Sequence, residues 1–115
     1  LLDHFPQSSI IAEDLGIITP DVRALMDQFQ FPGMKVLLFA FDDDLGANPY
    51  LPHNHVENCV VYTGTHDNNT VKGWFDAETS QQAKANLSRY LGHELSSSNI
   101  HWELIRSAFI CYAWR

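Results

Sequence analysis

Short apolar blocks that stop abruptly at charged or polar residues organise this chain. Residues 9–12 form the first block, followed at once by Glu13-Asp14-Leu15-Gly16. A buried parallel strand ends this way at a functional rim. Thr19-Pro20-Asp21 then reads as a helix start, with Thr19 as N-cap, proline at the first helical position and a carboxylate near the positive helix end. Val22, Leu25, Met26 and Phe29 follow at i, i+3, i+4 and i+7 as one apolar stripe, and Pro32-Gly33 stops the helix. Residues 34–41 are expected as a second strand, continuous in apolar character after Lys35 and so covered on both faces. That strand also runs into charge, at Asp42-Asp43-Asp44. After a polar segment at 46–58, Cys59-Val60-Val61-Tyr62 is a third strand, ending in Thr63-Gly64-Thr65-His66-Asp67-Asn68-Asn69. Two helices are expected beyond it. The first takes Thr79 as its cap, with Ala83, Leu87, Tyr90 and Leu91 apolar; the second takes Asn99, with Trp102, Ile105 and Phe109 on one side.

The order is strand, helix, strand, loop, strand, helices, and polar chemistry sits at the end of every strand. Parallel strands so decorated predict an α/β fold, a barrel or a doubly wound sheet, with its site at that edge. Three strands cannot close a barrel, which takes roughly 250 residues. The chain opens on Leu1-Leu2-Asp3-His4-Phe5, which resembles a helix tail, and closes within helix-like sequence at 108–115. A piece of a larger domain, covering residues 1–115, is the expectation.

Composition narrows the partners. Among 115 residues, 45% are hydrophobic and 18% charged, a globular balance. Seven basic against fourteen acidic residues leave a net charge of −7, which repels nucleic acid and anionic membranes. An acidic chain is compatible with a neutral, hydroxyl-rich ligand. Apolar runs are too short to span a bilayer, and no cationic-then-apolar leader opens the chain, so no export is expected. Cys59 and Cys111 lie far apart in apolar stretches and read as buried, reduced thiols, from which a cytoplasmic location is expected.

Four places could carry chemistry. Glu13 stands where a strand gives way to a loop. Cleaving a glycosidic bond takes two carboxylates, one donating a proton and one ionised. A partly buried strand-end glutamate suits the donor; equally, Glu13 could be a loop acid binding backbone amides or pairing with a base, and from position alone Asp14 is an equal candidate. His66-Asp67 joins an imidazole that can donate to a hydroxyl with a carboxylate that can accept from one. Asp67 could also stabilise an oxocarbenium-like transition state, or simply cap the helix that follows. His53-Asn54-His55 with Glu57 has metal-like spacing without a supporting cluster, and Asp42-Asp43-Asp44 lacks the rest of a calcium loop, so no metal is expected. Phe39, Phe41, Tyr50, Trp74 and Phe75 read mainly as core, though any at a rim could stack on a sugar ring.

Several of these segments, in this order, resemble the 4-α-glucanotransferase (amylomaltase, or disproportionating enzyme) family. They are Ile10-Ile11-Ala12-Glu13-Asp14-Leu15-Gly16-Ile17-Ile18-Thr19-Pro20, Pro32-Gly33-Met34-Lys35-Val36-Leu37, Phe39-Ala40-Phe41-Asp42, Asn48-Pro49-Tyr50-Leu51-Pro52-His53-Asn54 and Val61-Tyr62-Thr63-Gly64-Thr65-His66-Asp67-Asn68. The resemblance implies part of a (β/α)₈ barrel, about strands five to seven, that moves α-1,4-glucan segments between maltooligosaccharides through a covalent glycosyl-enzyme, without a cofactor. It implies Glu13 as acid/base, Asp67 as transition-state stabiliser and His66 as a sugar contact. Asp14, Phe39 and Asp43 fall where the family lines its sugar subsites. The family's nucleophile lies in an Arg-x-Asp-His-Phe segment. Asp3-His4-Phe5 copies part of it but lacks the lead-in and lies too near Glu13 for a crossover helix, so the nucleophile is expected before residue 1.

Overall fold

The computed structural model describes residues 10–42 and 45–110. Helix α1 (Pro20–Phe29) leads into strand β1 (Gly33–Val36); strand β2 (Cys59–Tyr62) pairs with it in parallel, Gly33 opposite Cys59 and Val36 opposite Tyr62. A short helix α2 (Val71–Gly73) continues into a π-helical turn (Trp74–Glu78). Helices α3 (Gln81–Leu91) and α4 (Ile100–Ile110) follow.

Two expected strands come out differently. Residues 34–41 do not stay extended: β1 stops at Val36, and Leu37–Phe39 wind into a 3₁₀ turn. Its partner β2 has four residues and then turns at Thr63-Gly64, so no ladder is available to residues 37–41. Their apolar side chains pack inward instead: Leu37, Leu38, Ala40 and Phe41 are buried. Residues 10–12, the described part of the first expected strand, have no regular secondary structure and form no ladder. One backbone bond, Ala12 N–H to Pro32 O at 2.9 Å, ties them beside β1. The Asp3-His4-Phe5 segment and Cys111 lie outside the described residues.

Helix ends are set by other side chains than the obvious ones. Thr19 occupies the N-cap of α1 in extended conformation, but its side chain makes no capping bond. That helix ends at Gln30, in the left-handed region (φ 54°), two residues before Pro32. Ser80, not Thr79, caps α3, its Oγ accepting the Ala83 N–H at 3.1 Å. Thr79 donates its hydroxyl to Trp74 O at 2.9 Å, closing the π-helical turn. Asn99 turns its Oδ1 back to the Ser96 N–H, at 2.8 Å.

The core gathers around the 3₁₀ turn. Leu37, Leu38, Phe41, Leu51, Leu87, Ile100 and Leu104 are essentially inaccessible. Buried Asn86 is satisfied, donating to Phe41 O at 3.1 Å and accepting from Gln82 Nε2 at 3.1 Å. In α4 the buried stripe is Ile100, Leu104 and Ser107, whereas Trp102 and Phe109 of the expected apolar side are exposed. Both stripes have helical spacing, so periodicity could not choose between them. Helix α1 buries no residue, and Val22 and Leu25 of its stripe face outward.

Candidate active site

Glu13, His66 and Asp67 come together. They line one open cavity of about 400 Å³ with Leu15, Met34, Tyr62, Gly64 and Thr65. This places the cavity at the edge where β2 ends and its loop begins.

The loop that carries His66 and Asp67 is pinned at its base. Asn68 Oδ1 accepts both the Thr65 N–H and the Thr65 hydroxyl, each at 2.9 Å, while the Asn68 N–H returns to Thr65 O at 3.1 Å. His66 and Asp67 are thereby presented at the tip, both exposed, with Nε2 3.2 Å from Oδ1. Such an exposed pair contributes little stability; its value is the adjacent placement of a donor and an acceptor. Asp67 does not cap the following helix. Thr70 does, its Oγ1 accepting the Gly73 N–H at 3.1 Å. Below the loop, Gly64 lies so close to buried Leu38 that a Cβ there would stand 3.1 Å from the leucine Cδ1.

Glu13 and Asp14 have opposite surroundings. Glu13 is exposed at the cavity and has no hydrogen bond or ion pair with a described residue. Asp14 is buried, its Oδ1 accepting the Met34 N–H at 2.7 Å across 20 positions of sequence. It lines a different cavity, shared with Arg23, Gly33, Lys35 and Cys59, so the structure does not bring it to the Glu13 side. Of the two acids, Asp14 is the one that binds a backbone amide, that of Met34 in β1.

Phe39 stands at the same end of β1, partly exposed. Its ring meets Tyr50 edge-on, centroids 5.4 Å apart. Asn48 fixes both backbones, donating to Phe39 O and accepting the Tyr50 N–H, each at 2.9 Å. Asp43 lies outside the described residues. Phe41, Trp74 and Phe75 are core. The histidines of the metal-like motif part company: His53 Nδ1 meets Tyr90 Oη at 2.9 Å, and His55 Nε2 meets Tyr50 O at 2.8 Å. Among the described residues no group of three His, Cys, Asp or Glu is placed to hold a metal. Cys59 is buried and donates its thiol to Val56 O. No helix of the described residues is long and apolar enough to cross a membrane.

Leu15, Met34, Tyr62 and Thr65 are cavity residues that sequence reasoning missed. Alternation is the usable signal: Glu13 and Leu15 line one cavity, whereas Asp14 between them lines another.

The 4-alpha-glucanotransferase family model matches residues 2–114. The chain is 58% identical over 107 residues to the 4-alpha-glucanotransferase of Synechocystis sp., covering 92% of this chain and 20% of that protein. It is 52% identical over 110 residues to the chloroplastic/amyloplastic 4-alpha-glucanotransferase of Solanum tuberosum, covering 96% of the chain and 18% of that protein. A cytoplasmic location thus does not follow from the likeness. The amylomaltase from Streptococcus agalactiae, solved in complex with acarbose, superposes with a TM-score of 0.79 at 37% identity, over 89% of this chain and 20% of that one. The chain spans about a fifth of the length of these relatives. With a family model matched across nearly its whole length, the chain belongs to the 4-alpha-glucanotransferase family.

Proposed function

We propose that this chain supplies the acid/base and the stabilising carboxylate of a retaining 4-α-glucanotransferase. The observation that carries the reading is the single cavity lined by Glu13, His66 and Asp67. The likeness to an amylomaltase solved with acarbose supports it. In a full-length enzyme containing this chain, Glu13 protonates the oxygen of the departing glucan as a carboxylate from elsewhere in the protein bonds to the anomeric carbon. Asp67 lowers the energy of the oxocarbenium-like transition state, and His66 holds sugar hydroxyls. Glu13, now ionised, takes the proton from the 4-hydroxyl of an incoming sugar. That oxygen attacks the anomeric carbon and releases the enzyme carboxylate. Transfer then requires the acceptor sugar to outcompete water. Phe39, at the same edge, offers a face for a pyranose ring.

The same reading treats residues 1–115 as part of the catalytic (β/α)₈ barrel. Residues 10–12, β1 and β2 would be its fifth, sixth and seventh strands. The parallel pairing and the Ala12–Pro32 bond support that order.

The test is to give the full-length enzyme maltotriose. Glucose together with oligomers longer than the substrate is the expected result; release of short products alone would replace transfer by hydrolysis. The isolated 115-residue chain should be inactive for want of the attacking carboxylate, and detectable disproportionation by it would refute that assignment.

A further inference from the structure

We propose that Asp14 is a positioning residue for Glu13: anchored beneath β1, it turns its neighbour into the cavity rather than touching sugar itself. The inference rests on Glu13 being the acid/base and goes one step beyond it.

Residues 10–15 follow no ladder, so little backbone bonding fixes their rotation about the chain axis. Two contacts do. Ala12 N–H bonds Pro32 O at 2.9 Å, and Asp14 Oδ1 accepts the Met34 N–H at 2.7 Å. Neighbouring side chains of extended backbone point to opposite sides. The cavities follow that rule on both segments. Glu13, Leu15 and Met34 line one; Asp14, Gly33 and Lys35 line the other. A buried carboxylate bonded to a backbone amide holds its position strongly, because releasing it would leave both the carboxylate and a partly buried N–H without a partner. Gly33 is the complementary half of the anchor: a Cβ there would lie 2.6 Å from Asp14 Oδ2 and 2.8 Å from Oδ1. Glu13 makes no hydrogen bond or ion pair with a described residue, so its direction depends on the anchor at Asp14.

Chemistry separates positioning from sugar contact. Maltotriose needs a proton delivered to its leaving oxygen and one removed from its acceptor. With α-maltosyl fluoride as donor and azide as acceptor, the C–F bond breaks to release fluoride, and azide then displaces the enzyme carboxylate. Neither step requires a proton from Glu13. In the full-length enzyme, Asp14→Ala should lower kcat on maltotriose about a hundredfold with KM within about threefold, as for a misplaced reacting group. The fluoride–azide reaction should fall by less than about threefold. Asp14→Asn keeps the Oδ1 acceptor and should restore most of the maltotriose rate. Gly33→Ala, which crowds the carboxylate from the other side, should reproduce the Asp14→Ala pattern. Equal losses on both reactions, or a KM that rises with little change in kcat, would overturn positioning. If Asp14→Ala does not accumulate as folded enzyme, Gly33→Ala decides. If neither folds, Asp14 serves the fold and the proposal fails. Glu13→Gln, assayed first, reports on the underlying reading alone: undiminished maltotriose turnover there removes Glu13 from its role, whatever Asp14 does.

Discussion

His55 donates Nε2–H to the carbonyl of Tyr50 at 2.8 Å, while its buried Nδ1 has no partner among the described residues. A carbonyl can only accept, so Nε2 carries the proton and Nδ1 is a bare lone pair. Protonating His55 would place a buried N–H where nothing receives it. Burial therefore lowers the pKa of His55, opposed by the bond to Tyr50 and reinforced by the positive fields of Lys35 and His53.

The sign of the pH dependence follows. With the folded pKa below the unfolded value, the unfolded chain takes up the proton first. The His55 contribution is intact above about pH 6.5 and is lost as pH falls from there towards the folded pKa. His55→Gln keeps a donor for Tyr50 O without titrating. Melting curves of both full-length proteins should show the wild type losing ground to the variant as pH drops below that point. Parallel curves would contradict it.

Asp67 makes no capping bond, so its loss should cost activity and not stability. Asp67→Asn is expected to reduce kcat on maltotriose by about a hundredfold or more, the size seen when a transition-state stabiliser is removed. The melting temperature should stay put; a large drop would return Asp67 to a structural role.

The helix caps separate by sequence neighbour. Ser80→Ala removes a capping bond and should destabilise by about 1 kcal/mol, whereas Thr19→Ala removes none and should be nearly neutral. Denaturation midpoints of the two variants measure the difference.

Phe41 is fully buried beside the ring of Tyr90, centroids 5.7 Å apart. Phe41→Ala should cost about 3–5 kcal/mol, through lost burial and the cavity left behind. A lowered melting temperature and reduced yield of folded protein would record it.

How much of this was legible beforehand depends on where a single pattern had a single outcome. Cys59 to Tyr62 is a strand as read, because a short β-branched run between polar turns has few other fates. Residues 34–41 looked equally strand-like, yet an all-apolar run suits a buried 3₁₀ turn as well, and the length of β2 decides between them. From position alone Glu13 and Asp14 are equal candidates, and only the family resemblance assigns them different roles. Their separation depends on Met34 and Gly33, about twenty residues away, which no local pattern reveals. Ser80 and Thr79 are likewise chemical equals until the π-helical turn claims Thr79.

Gly64 resting on Leu38 has a wider consequence. The base of the His66–Asp67 loop rests on an apolar side chain of the core. A bulkier apolar residue in place of Leu38 would press on Gly64 from beneath, although no polar residue of the site is itself replaced. Substitution in the core is thus a way to move His66 and Asp67 without replacing any residue that lines their cavity.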